Sequence, residues 1–296
     1  MVKYKIYVDA AADIPKEEQE RYRIGVLPIP VAMGEKTYQS GTELSNEEFY
    51  KLMEEYGGIP VTSQITPYVF EELFKHEMAA GTQQLILILI NAKGSATYAN
   101  AVATRDRFFE ENPEAAQKLS IHLFDGASYS GGYGYAAILA AQKLELGMSV
   151  EDVLPIIDEQ LKKQRIYFGL YTLTYAGKSG RIPSAAVFVG EALGIKPIMK
   201  IKDHEITTAG KARGEKKLIK EICKMVQADI EPSTPYSLVY GSDGAARDEL
   251  REEMTKKLGY PPIYQFQVGA AVAINAGPRV VGAIFEARKK KREKNA

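Results

Sequence analysis

Apolar and polar positions alternate along the chain in blocks that predict strands and helices in turn. "KYKIYVD" (3–9) reads as a strand ending in Asp9, and "IGVLPIPV" (24–31) as an edge or terminal strand loosened by Pro28 and Pro30. "SNEE", with Ser45 and Glu48 spaced as a capping box, predicts a helix over 46–56. Thr66 as N-cap and Pro67 at the first turn predict another over 67–79. "LILILI" (85–90) reads as a buried strand, "SATYANAVATRDRFFEE" (95–111) as a helix, and "SIHLFD" (120–125) as a strand ending in Asp125. "GYGYAAILAAQKLEL" and a segment over 150–163 opened by Ser149 complete the run as helices. Near-continuously apolar strands alternating with helices indicate a mostly parallel, doubly wound sheet covered on both faces.

Beyond residue 164 the pattern changes. "RIYFGLYTL" (165–173) reads as a strand, "GKSGRIP" (177–183) as a Gly-rich loop and "AAVFVGEALG" (185–194) as a helix. "IKPIMKI" and "EITTAG" flank the turn "KDHE" and predict a hairpin. Helices near 214–228 and 244–258 alternate with expected strands "YSLVYG", "IYQFQV", "AAVAIN" and "RVVGAIF". The fold class expected is α/β, with two α/β domains at 1–164 and 165–288. The second carries a mixed sheet, and 289–296 is a basic tail.

The 296 residues are 45% hydrophobic and 26% charged with zero formal net charge, so no bulk field draws the chain to nucleic acid or an acidic membrane. Cys223 is the only cysteine, which excludes an internal disulfide or cysteine zinc site and fits a reducing, cytoplasmic setting. The N-terminus has no apolar signal segment, and no apolar run is long enough to span a bilayer. Transient contact with a membrane stays open, without an anchor.

Ligands in open α/β sheets lie outside the carboxyl ends of the strands, here at Asp9, Asn91–Ser95 and Asp125–Ser130. "PVTSQITP" (60–67) adds a further loop rich in hydroxyls. A helix starting near Ser95 would aim free N–H groups at an anion, with Ser95 and Thr97 as further donors; a plain helix cap at Ser95 is the competing reading. "GYGYAA" (132–137) fits a dinucleotide fingerprint but stands too far from its strand, and its glycines equally suit a helix start. No phosphate loop, nucleophile elbow or metal-ligand spacing occurs. His76, His122 and His204 read as surface or packing residues, and catalysis by this chain is not expected. Lys178 and Arg181 in "GKSGRI" suit either an anion or a partner's carboxylates, or a solvated turn.

Taken together the loops resemble the DegV family, bacterial proteins that bind a long-chain fatty acid. "VDAAADIP" resembles the family's V-x-D-S-x-x-D-L-P, "PVTSQITP" its P-x-T-S-Q-P-[ST] and "GSATYANA" its S-G-T-Y-x-x-A. "GKSGRI" resembles G-G-R-[IL], "GIKPIMKI" the K-P-[IL] strand, and "INAGPRVVGAIF" the closing H-x-G-P-G-x-x-G, so that the likeness runs over about 3–286. The resemblance implies an acyl chain in an apolar tunnel between two domains, its carboxylate held at the sheet's carboxyl ends. It also implies that a separate ATP-dependent fatty acid kinase is the partner, with no cofactor. Carried over, Thr62 and Ser95 become carboxylate contacts, Ser63, Ala96, Asn275 and Ala276 join the ligand site, and Arg181 and Arg213 face the kinase. Asn275 stands where the family has histidine, Arg279 and Ala96 replace family glycines, and Ala10 replaces a serine. The competing reading is an enzyme acting on a small phosphorylated or nucleotide ligand through "GYGYAA" and "GKSGRI".

Overall fold

The computed structural model describes residues 2–182 and 194–288. The chain opens with β1 (Tyr4–Asp9), a 3-10 turn over Ala10–Ala12 and the short helix α1 (Lys16–Tyr22). The apolar stretch 24–31 is not one edge strand but two strands in two sheets. β2 (Gly25–Leu27) pairs parallel with β1, whereas β3 (Ile29–Met33) pairs antiparallel with β4 (Lys36–Ser40). Pro28 separates them because it offers no N–H to a ladder. α2 (Asn46–Tyr56) starts at the predicted capping box, in which Ser45 and Glu48 bond each other's backbone N–H. β5 (Val61–Thr62) then adds to β3, which becomes the middle strand of a three-stranded sheet. Pro30 is tolerated there as an acceptor, its carbonyl taking the Ser63 N–H at 3.2 Å.

α3 (Pro67–Ala79), β6 (Gln84–Leu89), α4 (Thr97–Glu111), β7 (Ser120–Asp125), α5 (Gly131–Glu145) and α6 (Val150–Lys163) follow. The parallel sheet has the order β2-β1-β6-β7, so the winding reverses between β1 and β6. β6 is solvent-free from Leu85 to Leu89, as a strand covered on both faces must be.

The second sheet is built from β8 (Gln164–Leu170), followed by α7 (Thr174–Ser179), then β9 (Ile195–Lys202) and β10 (Glu205–Arg213). α8 (Glu215–Asp229), β11 (Tyr236–Tyr240), α9 (Gly244–Leu258), β12 (Tyr264–Gln267), α10 (Ala270–Ala276) and β13 (Val280–Glu286) complete it. Its order is β10-β9-β8-β13-β11-β12, mixed, with only β11 and β12 parallel. The predicted hairpin is β9–β10, turning on Asp203 and His204.

Three expectations fail here. The strand expected over 165–173 stops at Leu170. In the expected loop 177–183, Gly177 to Ser179 belong to α7, which Gly180 ends at φ 68°. "AAVAIN" (270–275) is the helix α10, not a strand. A six-residue apolar run does not reveal its period, and alanine favours helix. The helix expected over 185–194, apart from Gly194, and the basic tail lie outside the described residues.

Alternation along the mixed sheet sorts its side chains onto two faces. Ile166, Phe168, Met199 and Ile201 share one apolar cluster with the parallel sheet, so the two sheets pack toward a common core. Tyr167, Ile198, Leu238 and Phe285 face the other way, under α8 and α9, with Leu218, Ile222 and Leu250.

Candidate functional site

The reversal of winding between β1 and β6 opens a crevice at their carboxyl ends. Asp9 closes its floor. It is fully buried, accepts the N–H groups of Ala11 at 3.0 Å and Ile90 at 2.6 Å, and accepts the Tyr133 hydroxyl at 2.6 Å. Burial pushes its carboxyl up to about 6, against the pull of those hydrogen bonds. Asp125 is likewise spent on backbone, accepting the N–H of Ala92 and of Ala127. Both acids shape the loops at the strand ends.

Above them lies the loop after β6. The Asn91 carbonyl accepts the N–H of Gly94 at 2.9 Å and of Ser95 at 3.1 Å. Ala96, not Ser95, is the N-cap of α4, and Ser95 Oγ lies 3.3 Å from the Thr97 N–H it accepts. Thr97, expected as a ligand donor, is fully buried and its Oγ1 accepts the Ile65 N–H at 3.1 Å. That bond, with Asn100 Nδ2 donating to the Ile65 carbonyl at 2.8 Å, brings the segment after β5 against the start of α4. Thr62 and Ser95 are half-buried, and Ser63 and Ala96 are exposed; Thr62 ends β5, which corrects the loop expected over 60–67, while Ser63 follows β5 and Ser95 and Ala96 lead into α4.

Beside this rim lies a narrow, half-open apolar pocket of about 50 Å³. Phe168, Ile201, Ile206, Val239, Val272 and Val280 supply its apolar wall, and Arg181, Asn275 and Ala276 also line it. Thr62, Ser63, Ser95 and Ala96 do not. Tyr129 connects the two regions. Its ring lines the cavity, its hydroxyl accepts from Asn91 Nδ2 at 3.2 Å, and a β-carbon on Gly94 would meet that hydroxyl at 2.2 Å. Arg213, at the exposed end of β10, stands apart from the cavity lining.

Sequence reading missed several participants. Tyr129 carries no motif, although it falls in the segment 125–130 at a strand's carboxyl end. Ser130 holds φ 53° and ψ −144°, a backbone that L residues rarely adopt, and its buried Oγ makes no hydrogen bond. His204, expected to be a surface or packing residue in a turn, bonds Asn91 across the two sheets at 2.9 Å. The glycines of "GYGYAA" are helix-packing positions. Added β-carbons would meet Ser128 Oγ at 2.2 Å from Gly132 and the Ala12 carbonyl at 2.5 Å from Gly134. Arg279, in place of a family glycine, pairs with Glu215 and Asp243 at 3.0 Å each and stacks 4.4 Å over the Tyr171 ring.

The fold thus sets hydroxyl-bearing loops at the carboxyl ends of a parallel sheet beside an apolar pocket walled by the mixed sheet. The DegV family profile, described as one of uncharacterised proteins, matches residues 3–288, and the chain belongs to that family. A DegV domain-containing protein of Caldanaerobacter subterraneus subsp. tengcongensis is 28% identical over 97% of this chain and 99% of its own length. Among solved structures, a fatty-acid-binding DegV family protein from Thermus thermophilus is 26% identical, with a TM-score of 0.84 over 97% of this chain and all of its own. A Thermotoga maritima protein whose structure reveals a fatty acid binding function is 25% identical, with a TM-score of 0.81 over 97% and 100% of the two chains.

Proposed function

We propose that this protein binds a long-chain fatty acid, with the tail in the apolar cavity and the carboxylate at its rim. The carrying observation is Tyr129, whose ring walls the cavity while its hydroxyl touches the loop that bears Ser95. Thr62, Ser63 and Ser95 supply hydroxyl groups suited to a carboxylate, on a loop whose Gly94 and Ser95 N–H groups are held by the Asn91 carbonyl; charge-assisted bonds exceed neutral ones. Asn275 and Ala276 line the mouth, where Asn275 offers a neutral amide in place of the family histidine. Burying the tail contributes about 0.8 kcal/mol per CH₂, offset by the costs of association. The fatty acid binding described for the Thermus and Thermotoga relatives supports this reading.

The finer reading is a cytoplasmic carrier without a cofactor or chemistry of its own, which presents the acid to a fatty acid kinase through Arg181 and Arg213. The apolar cavity and the packing role of the "GYGYAA" glycines favour it over an enzyme acting on a nucleotide or phosphorylated ligand. Native mass spectrometry with lipid extraction tests the binding. Fatty acid co-purifying with the protein is the expected result; empty protein that takes up neither oleate nor palmitate refutes it. Retention of the kinase on immobilised protein, lost on Arg181→Ala, tests the partner.

A further inference from the structure

The β9–β10 hairpin turns on Asp203 and His204, at φ 48° and 71°. Two consecutive left-handed residues match the twist of the flanking strands, and glycine is the favoured second residue. A histidine there bears a backbone cost that glycine avoids. Its return comes from contacts outside the hairpin. The His204 N–H donates to the Ala127 carbonyl at 3.1 Å, and its own carbonyl accepts from Asn91 Nδ2 at 2.8 Å. Its ring Nδ1 lies 2.9 Å from Asn91 Oδ1 and 3.5 Å from Asp125 Oδ2. Because Asn91 Oδ1 can only accept, Nδ1 carries the proton in this contact. Next to it Glu205 pairs with Lys93.

Asn91 is fully buried and stands four residues before Ser95. Its side chain is gripped by the hairpin, while its main-chain carbonyl fixes the N–H groups of Gly94 and Ser95. The stem of the same hairpin supplies Ile201 and Ile206 to the cavity wall. One contact therefore joins the shape of the rim to the closure of the cavity.

We propose that His204 is a positioning residue that locks the carboxylate loop through Asn91, so that the β9–β10 hairpin controls exchange of the bound acid. The inference rests on the fatty-acid reading. His204 acts on the ligand only through Asn91: with the clamp made, the loop is held in its binding shape and the hairpin stem stays against the tail. With the clamp lost, both loosen together and the acid leaves faster.

His204→Gly is the diagnostic variant, because glycine suits φ 71° and the Lys93–Glu205 pair remains. Protein loaded with a fluorescent polyene fatty acid is mixed with excess oleate, and dissociation is followed by fluorescence. The expected result is dissociation about tenfold faster, equivalent to about 1.4 kcal/mol, with an apo thermal midpoint equal to or above wild type. His204→Asn, which tolerates the left-handed turn and keeps a donor, recovers part of the rate. A rate within about twofold of wild type, where tenfold corresponds to about 1.4 kcal/mol, overturns the proposal. So does a faster rate accompanied by a lower apo midpoint, which makes His204 merely structural. Wild-type protein that takes up no fatty acid sinks the binding reading and this proposal with it; normal wild-type binding beside an unchanged variant sinks this proposal alone.

Discussion

Asp13 is the residue whose replacement tests the packing logic most directly. It follows the 3-10 turn after β1 in a left-handed conformation, and its Oδ1 accepts the Gly269 N–H at 2.9 Å. Its Oδ2 is sealed from solvent without a hydrogen-bond partner. Burial pushes the carboxyl up to about 8; the Gly269 N–H pulls the other way, and nearby Asp9 adds to the rise. An acid whose folded pKa is raised binds its proton more tightly in the native state than in the unfolded chain. The stabilisation it gives is therefore complete below pH 4 and is lost as pH rises from the unfolded value of 3.8 through about 8. At 1.36 kcal/mol per unit, the rise from pH 5 to pH 8 costs about 4 kcal/mol, and relaxation around the carboxylate brings this to about 2–4 kcal/mol. Asp13→Asn keeps the acceptor for Gly269 and removes the charge. Scanning calorimetry of wild type and variant between pH 4 and pH 9 should show little difference at pH 4. At pH 8 the midpoint of the variant should be higher by about 4–16 °C, at about 2–4 °C per kcal/mol for a chain of this size. Parallel stability curves for the two proteins across that range would refute the reasoning.

Further outcomes follow from other parts of the molecule. Ser95→Ala with Thr62→Ala should weaken oleate binding by about 100-fold or more, since hydrogen bonds to a charged group contribute about 1.5–3 kcal/mol each; titration calorimetry showing unchanged affinity would place the carboxylate elsewhere. Gly132→Ala pushes a β-carbon to 2.2 Å from Ser128 Oγ and 2.8 Å from Ile166 Cδ1. It should cost about 1–3 kcal/mol by overpacking, read in urea titrations, and ATP or NAD should leave the wild-type midpoint unmoved. Arg279→Gly removes half-exposed ion pairs to Glu215 and Asp243 and the stack on Tyr171, so a loss of about 1 kcal/mol that shrinks at high salt is expected. A loss independent of salt would show that the stack, not the charge, carries the effect.

The α/β class and most helices were legible in the chain because their signals are local. Ser45 with Glu48, Thr66 with Pro67, and the alternation of "LILILI" with an amphipathic helix each specify an element within a dozen residues. The errors fall where local signals are silent. Nothing in "IGVLPIPV" says that Pro28 sends its two halves into different sheets, because that depends on which strands arrive beside them. "AAVAIN" is short and apolar throughout, so its helix was decided by packing against the turn Ala10–Ala12 and α2 and by the flanking Gly269 and Gly277.

The candidate site divides in the same way. Ser95 could be placed beyond a strand end from sequence, since a strand's carboxyl end is readable from where its apolar run stops, whereas Thr62 read only as part of a hydroxyl-rich loop and lies in β5. That Thr97 is consumed by Ile65, that Tyr129 joins rim to cavity, and that His204 reaches Asn91 across 113 residues are facts of tertiary structure. A side chain's partner depends on chain segments far apart in sequence, which no periodicity encodes. The sequence by itself determined which elements form and which loops stand at the sheet's carboxyl ends. Only the packing of the two sheets decided which of those loops close over the apolar cavity, because burial and hydrogen-bond satisfaction are settled where the sheets meet.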